Sequence, residues 1–142
     1  MSGRLGQCAI VVGAGIGGLS MAGALAKHFE RVEILERDRL TASVGSRSGT
    51  PQDQHAHGLL AGGLQALGEV FPGFEIDLIR AGAVSVRLTQ DVQYERPDVG
   101  VLPHRDFGLS LLCASRPLIE LAAMIRSISD SSRGSATPKS PS

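Results

Sequence analysis

The apolar residues of this chain fall into short continuous runs and helical stripes that polar or glycine-rich segments separate. The first run, QCAIVV at 7–12, is rich in β-branched residues and is typical of a buried parallel strand. The segment GLSMAGALAKHF at 18–29 has helical character, and RVEILE at 31–36 is a second strand candidate. Strand, glycine turn, helix and strand within about 30 residues predict a βαβ unit with parallel strands and a right-handed connection.

The middle of the chain combines a polar connection with a helical stripe. Residues 37–53 are polar and contain glycines and a proline, which predicts a long loop of the functional or mobile kind. The segment 54–72 predicts a helix that Pro72 and Gly73 end. Its apolar residues at helical spacing are Leu59, Leu60, Leu64, Leu67 and Val70.

The second half of the pattern alternates again between helices and strands. A short helix is predicted at 75–82, and a strand at 83–89, where three aliphatic residues alternate with polar ones. The run LSLLCAS at 109–115 predicts another buried strand. The segment 116–128 predicts a helix with Pro117 in its first turn, where the missing N–H is harmless.

The end of the chain differs from the rest. Residues 129–142, SDSSRGSATPKSPS, have no periodicity and are rich in Ser and Pro, which predicts a disordered tail. The helix before them ends while still apolar, although an α/β domain usually continues its alternation of strands and helices. The sequence therefore predicts an α/β, Rossmann-like domain with a parallel sheet at 1–128, cut short and followed by that tail.

Composition and charge narrow the range of partners. The chain has 142 residues, enough for one domain, and its 14 basic residues balance 14 acidic ones, which argues against nucleic acid or a membrane surface. No apolar run approaches the roughly 20 residues of a membrane span, and the first residues lack the apolar core of a secretory signal. Cys8 and Cys113 lie in apolar runs, which predicts two buried thiols rather than a disulfide, and a cytoplasmic protein.

The glycine turn after the first strand carries the clearest chemical signal. VVGAGIGGLS fits the pattern G-x-G-x-x-G through Gly13, Gly15 and Gly18. The first glycine permits a tight turn, the second lets the backbone approach a pyrophosphate, and the third lets the helix pack closely. The helix N-terminus offers N–H groups and a positive dipole end to phosphates. The predicted cofactor loop also includes Ala14, Ile16 and Gly17.

An acid at the end of the second strand completes this pattern. Glu36 lies 18 residues after Gly18, close to the interval of about 20 expected in dinucleotide-binding units. Its carboxylate is predicted to accept hydrogen bonds from ribose hydroxyls and to repel a 2′-phosphate. Arg37, the next residue, is either a partner of the adenine ring or a surface charge.

With IVVGAGIGGLSMAGALAKHFERVEILERD in view, the chain resembles FAD-dependent monooxygenases of the aromatic hydroxylase type. Two further segments, GTPQDQHAHGLLAGGLQALGEVFPGF and LLCASRPLIELAA, are similar to a subgroup of flavin-dependent hydroxylases and epoxidases. The resemblance covers about residues 7–128. These two segments are its more specific part, because many dehydrogenases share the glycine motif.

The resemblance implies FAD as cofactor, NAD(P)H as reductant and insertion of oxygen from O2 into a small organic substrate. It implies that the three motif glycines hold the FAD pyrophosphate and that Glu36 binds the adenosine ribose. It also implies that Arg116, at its helix start, reaches a phosphate or ribose oxygen, and that Arg47 lies in a loop over the flavin. The alternatives are a surface charge at a helix start for Arg116 and a mobile loop charge for Arg47.

The chain departs from this family in two places. Phe29 and Glu30 stand where the family usually turns through a glycine. The sequence also contains no Gly-Asp pair, whereas the family carries a second flavin motif around such a pair, and the substrate-binding sheet is missing as well. The expectation is therefore an FAD-binding portion with little turnover of its own.

Other candidate sites and functions stay open beside this one. His55 and His57, with Asp53, resemble a metal-binding group, but no cysteine or further histidine cluster completes a closed site, so the sequence predicts helix-entry or flavin-facing histidines instead. The alternatives for function are a non-catalytic nucleotide-binding remnant and an NAD(P)-binding dehydrogenase or regulatory module. The cofactor that binds distinguishes these classes.

Overall fold

A computed structural model describes residues 4–38 and 55–131, with side chains up to Ile128. Strands and helices share the described part of the chain. Their order is β1 (Gly6–Val12), α1 (Ile16–Leu25), β2 (Phe29–Leu35), β3 (Ala56–Leu60), α2 (Ala61–Val70), α3 (Phe74–Arg80), β4 (Val84–Arg87), β5 (Glu95–Arg96), β6 (Gly100–Val101), β7 (Ser110–Ser115) and α4 (Arg116–Ser131).

The first three elements form the βαβ unit that the apolar pattern predicts. Strands β1 and β2 are parallel, in a register that pairs Gly6 with Phe29 and Val12 with Leu35. Phe29 and Glu30 open β2, so this chain enters its second strand where the resembled family turns through glycine. Helix α1 connects the two strands and packs against both of them.

A second, antiparallel sheet has the strand order β3-β7-β4. The predicted helix at 54–72 is wrong over its first part, because Ala56–Leu60 form β3 and the helix starts only at Ala61. Exposure alternates along β3 with the period of a strand, and Leu59 and Leu60 pair with Leu112 and Leu111 of β7. Pairing with a strand that is distant in sequence therefore outweighs the helical spacing of these leucines.

Strand β1 is not the buried strand that its apolar run predicts. Val11 is buried, but Ile10 is 62% exposed and Val12 is 82% exposed. Among the described residues β1 and β2 form a two-stranded sheet, so neither of its outer edges pairs with a further described strand, and one face of β1 is exposed. For the same reason Cys8 is exposed rather than buried, whereas Cys113 is half-buried, and both thiols are free.

The hydrophobic core lies between the helices and β7. Phe71, Phe74 and Leu78, from the end of α2 and from α3, are its largest fully buried side chains. Each such side chain contributes about 1.5–3 kcal/mol through its removal from water. The other buried residues of this core are Ala14, Leu19, Ala83, Leu112, Ala114, Ile119, Ala122 and Ala123.

An ion pair ties α3 to α4 at the surface. Arg126 donates from Nε to Asp77 Oδ2 over 2.5 Å, and its Nη2 lies 3.5 Å from the carbonyl oxygen of Gly73. This hydrogen bond from Arg126 lowers the pKa of Asp77 below its ordinary value. The pair therefore fixes the start of α3 on the second half of α4.

Helix α4 extends to Ser131, so the first three residues of the predicted tail are helical. The rest of that tail and most of the predicted loop at 37–53 lie outside the described residues. Over the part of the chain that is described, no helix has both the length and the apolar character that a membrane crossing requires.

Replacing Gly23 with alanine is expected to lower the free energy of unfolding by about 1–3 kcal/mol. The new Cβ would lie 2.7 Å from Val70 Cγ1 and 2.8 Å from Phe71 Cε1, which overpacks the contact between α1 and α2. Gly17→Ala in the same helix is the control, because no described atom outside that helix lies within 4 Å of its Cβ. Urea denaturation compares the variants, and equal unfolding free energies would contradict this packing.

The Asp77–Arg126 pair predicts a pH dependence of stability. Because the folded-state pKa of Asp77 is lowered from 3.8, its contribution is present above that pH and is lost as the pH falls through the lowered pKa. The stability difference between the protein and Asp77→Asn should therefore shrink at acid pH. Glu75→Gln, a change of an exposed acid on α3, is the control. Urea denaturation from pH 2 to 7 checks this, and a difference that does not change with pH would refute it.

Candidate functional site

The glycine turn between β1 and α1 is hydrogen-bonded to the end of β2. Gly13 adopts φ of +94°, in the region that favours glycine, and its N–H donates to the carbonyl oxygen of Leu35 over 2.8 Å. A Cβ on Gly18 would lie 1.9 Å from the carbonyl oxygen of Gly13, so a side chain there cannot fit without a backbone shift. The fold itself therefore requires glycine at 13 and 18.

Gly15 differs from these two glycines because the fold does not require glycine there. Its backbone is extended, with φ of −74° and ψ of 177°, which any residue can adopt. A Cβ there would meet Glu120 Oε1 at 3.6 Å and Arg116 Nη2 at 3.9 Å, which are ordinary van der Waals distances. The fold tolerates a side chain at 15, and the missing Cβ instead leaves space in front of the helix N-terminus.

This space faces the first turn of α1. Gly15 is the N-cap residue and accepts the first intrahelical hydrogen bond from Leu19, over 2.9 Å. Within the described residues no side chain caps the helix. The first-turn N–H groups have no intrahelical acceptor, and together with the helix dipole they favour an anion such as a phosphate.

Glu36 braces the glycine turn from the other side. Its Oε2 accepts a hydrogen bond from the N–H of Ala14 over 2.6 Å, and its Oε1 accepts one from Asp38 over 2.9 Å. A carboxylate accepts hydrogen bonds through both of its oxygens, which is the chemistry that ribose hydroxyls require of a partner. The sequence predicted that this acid binds ribose alone. The structure shows that it also accepts a hydrogen bond from the N–H of Ala14.

Arg116, the first residue of α4, lies beside Gly15. Its Nε donates to Glu120 Oε1 over 3.0 Å, one turn further along the helix. Helices α1 and α4 pack against each other, and this packing places the guanidinium near the glycine turn. Sequence reasoning named Arg116 and missed Glu120, although opposite charges four residues apart in a helix are a recognisable signal.

The other residues predicted to bind the cofactor differ in their burial and contacts. Ala14 is buried and Ile16 packs against the core, whereas Gly17 is exposed. Arg37 has a side chain that is 86% exposed and pairs with Asp38 at 3.8 Å. Arg47 lies outside the described residues.

The two histidines belong to the start of the second sheet. His57 lies in β3, and its Nδ1 is 2.8 Å from the carbonyl oxygen of His55. Asp53 lies outside the described residues. Among the side chains that the structure describes, at 4–38 and 55–128, no group of three or more His, Cys, Asp or Glu could hold a metal ion.

Comparison with known proteins agrees with this geometry. Residues 11–70 match the family described as an NAD(P)-binding Rossmann-like domain. Protein Rv3254 of Mycobacterium tuberculosis is 37% identical to the chain over 97 residues, which cover 66% of this chain and 20% of the relative. The chain therefore spans about a fifth of the length of this curated relative. The predicted Rossmann-like α/β fold is confirmed, with β1 and β2 as its parallel strands.

Glu36→Gln is expected to destabilise the fold by about 1–2 kcal/mol. Ala14 and Asp38 donate to different oxygens of Glu36, and in the amide one of these becomes an NH2 donor, so one of the two N–H groups loses its acceptor. Glu33→Gln, which removes only a surface ion pair with Arg31 on the same strand, is the matched control and should cost less than about 0.5 kcal/mol. Chemical denaturation measures both, and equal losses would show that Glu36 does not brace the turn.

Proposed function

We propose that this chain, with its NAD(P)-binding Rossmann-like domain, is the FAD-binding portion of an FAD-dependent monooxygenase, a hydroxylase or an epoxidase. In this proposal residues 1–128 form the FAD-binding unit, NAD(P)H is the reductant and a small organic molecule is the substrate. FAD, when bound, takes a hydride from NAD(P)H and passes electrons to O2. The residues of this chain bind and orient the adenosine diphosphate half of the cofactor.

The observation that carries the proposal is the convergence of three complementary groups at the glycine turn. The first-turn N–H groups of α1 and the guanidinium of Arg116 suit the two phosphates. The carboxylate of Glu36 suits the ribose hydroxyls, and its hydrogen bond to Ala14 holds it at the turn. A Cβ on Gly15 would lie 3.9 Å from Arg116 Nη2 and 3.6 Å from Glu120 Oε1, so the guanidinium and its acidic partner lie at this turn. Together, the N–H groups, the guanidinium and the ribose-binding acid support adenosine diphosphate as the ligand.

The charge of Glu36 also selects among dinucleotides. A carboxylate at the ribose opposes a 2′-phosphate through like-charge repulsion. This favours FAD or NAD over NADP at this site. If NADPH serves as reductant, it binds elsewhere.

FAD is preferred over NAD because of the two more specific segments in the sequence. In the fold these segments meet: β3 pairs with β7 in a register that sets Ala56 opposite Ser115, directly before Arg116. The segments HAHGLL and SRPLIE are thus joined through the β3–β7 pairing, and Arg116 of the second segment lies beside Gly15. An NAD-binding dehydrogenase or regulatory module is the second candidate, which the match to an NAD(P)-binding family favours.

Titration of the purified chain with FAD, NADH and NADPH tests the proposal, with calorimetry as the readout for all three and flavin fluorescence as a second readout for FAD. FAD should bind more tightly than NADH, and NADPH most weakly. Gly15→Ala should weaken FAD binding by about tenfold or more, equivalent to about 1.4 kcal/mol, without loss of stability.

Gly62→Ala is the control for this titration, because no described atom outside α2 lies within 4 Å of its Cβ. It should leave FAD binding unchanged. Binding of NADH without FAD would contradict the flavin assignment and support the dehydrogenase module. A folded chain that binds none of the three would contradict the FAD-binding assignment, whereas weak binding of FAD and NADH alike would support the non-catalytic nucleotide-binding remnant.

A further inference from the structure

Glu120 is the acidic side chain that the proposed function leaves without a role. It is only 6% exposed, and it is the one buried charged residue of the described part of the chain. Burial of a carboxylate is costly unless it is paired and hydrogen-bonded. Its Oε1 accepts from Arg116 Nε at 3.0 Å and also lies 3.6 Å from the Cβ position of Gly15. The buried acid therefore lies at the glycine turn itself.

We propose that Glu120 is a positioning residue that holds the guanidinium of Arg116 toward the phosphates of the nucleotide, an inference that rests on the proposed function. Glu120 contacts Nε, while Nη2 is the guanidinium atom that lies near the space in front of Gly15. In this inference Glu120, which itself lies 3.6 Å from the Cβ position of Gly15, occupies Nε and neutralises its own charge there, while Nη2 is left to face a phosphate.

Orientation before binding has a thermodynamic effect. A free arginine side chain samples many rotamers, and part of this conformational entropy is lost when it binds a ligand. An arginine already held by a buried partner loses less of it at that moment. The gain is specific to ligands with phosphates, since Glu120 acts through Arg116 and not through the ribose or the adenine.

A purely structural role for Glu120 makes a different prediction. If the acid only supported the packing of α4, its loss would lower stability and weaken every ligand alike. If it acts through Arg116, its loss weakens ADP much more than adenosine, and has no further effect once Arg116 is gone.

The test measures binding of ADP and adenosine by calorimetry to four variants. Glu120→Met keeps the volume without the acceptor, and should weaken ADP about tenfold and adenosine less than about twofold. Glu120→Gln keeps an oxygen for Nε and should stay within about threefold of the unmodified chain. Arg116→Ala should weaken ADP, and Arg116→Ala with Glu120→Met should weaken it no further. If the methionine variant does not fold, Glu120→Ala replaces it.

Asp77→Ala is the matched control. It removes the acidic partner of Arg126, which lies ten residues further along α4, about 15 Å from Arg116 along the helix axis. It should lower stability and leave ADP affinity unchanged.

The outcomes separate the two proposals. An unmodified chain that does not bind ADP overturns both the proposed function and this inference. Normal ADP binding to the unmodified chain overturns the inference alone in either of two cases. In the first, Glu120→Met weakens ADP and adenosine equally or weakens neither. In the second, Glu120→Met still weakens ADP in the Arg116→Ala background.

Discussion

The hydrogen bond from the N–H of Ala14 to Glu36 Oε2 is the contact on which the site depends. It joins the turn that supplies N–H donors to the strand end that supplies a carboxylate. On one side of it lies the turn that leads into α1, and on the other the end of β2. The N–H of Gly13 donates a second hydrogen bond, to the carbonyl oxygen of Leu35, and this bond fixes the backbone where the turn meets the end of β2. The acid is thereby held at one distance from the helix N-terminus, so the two ends of an adenosine diphosphate would meet a preformed geometry.

Arg116 and Glu120 extend this geometry to an element far away in sequence. Helix α4 follows the antiparallel sheet, and its first turn reaches the glycine turn only because α4 packs on α1. The position of the Arg116 guanidinium at the glycine turn therefore depends on the tertiary fold. The position of the first-turn N–H groups of α1 depends only on the local turn. The site is therefore complete only when α4 is packed on α1.

Local pattern predicted the βαβ unit, the short helix after Gly73, the strand β4 and the helix α4, because each depends on residues close in sequence. It failed where long-range pairing decides the structure. The leucines of β3 have helical spacing, but β7 recruits them as a strand. Burial of β1 could not be derived either, since the exposure of Val12 depends on which strands lie beside it. Among site residues, Glu120 was missed because only the packing of α4 on α1 shows that this acid faces Gly15.

The three glycines of the turn are not equivalent, and this has a consequence for how such a chain drifts over evolutionary time. Positions 13 and 18 are constrained by backbone conformation and by a carbonyl oxygen at the Cβ position, whatever the turn binds. Position 15 has ordinary backbone angles and room for a methyl group. A descendant that no longer held nucleotide would be free to change residue 15 while selection for folding still preserved the other two. The residue at 15, rather than the complete motif, thus records whether binding itself has been selected.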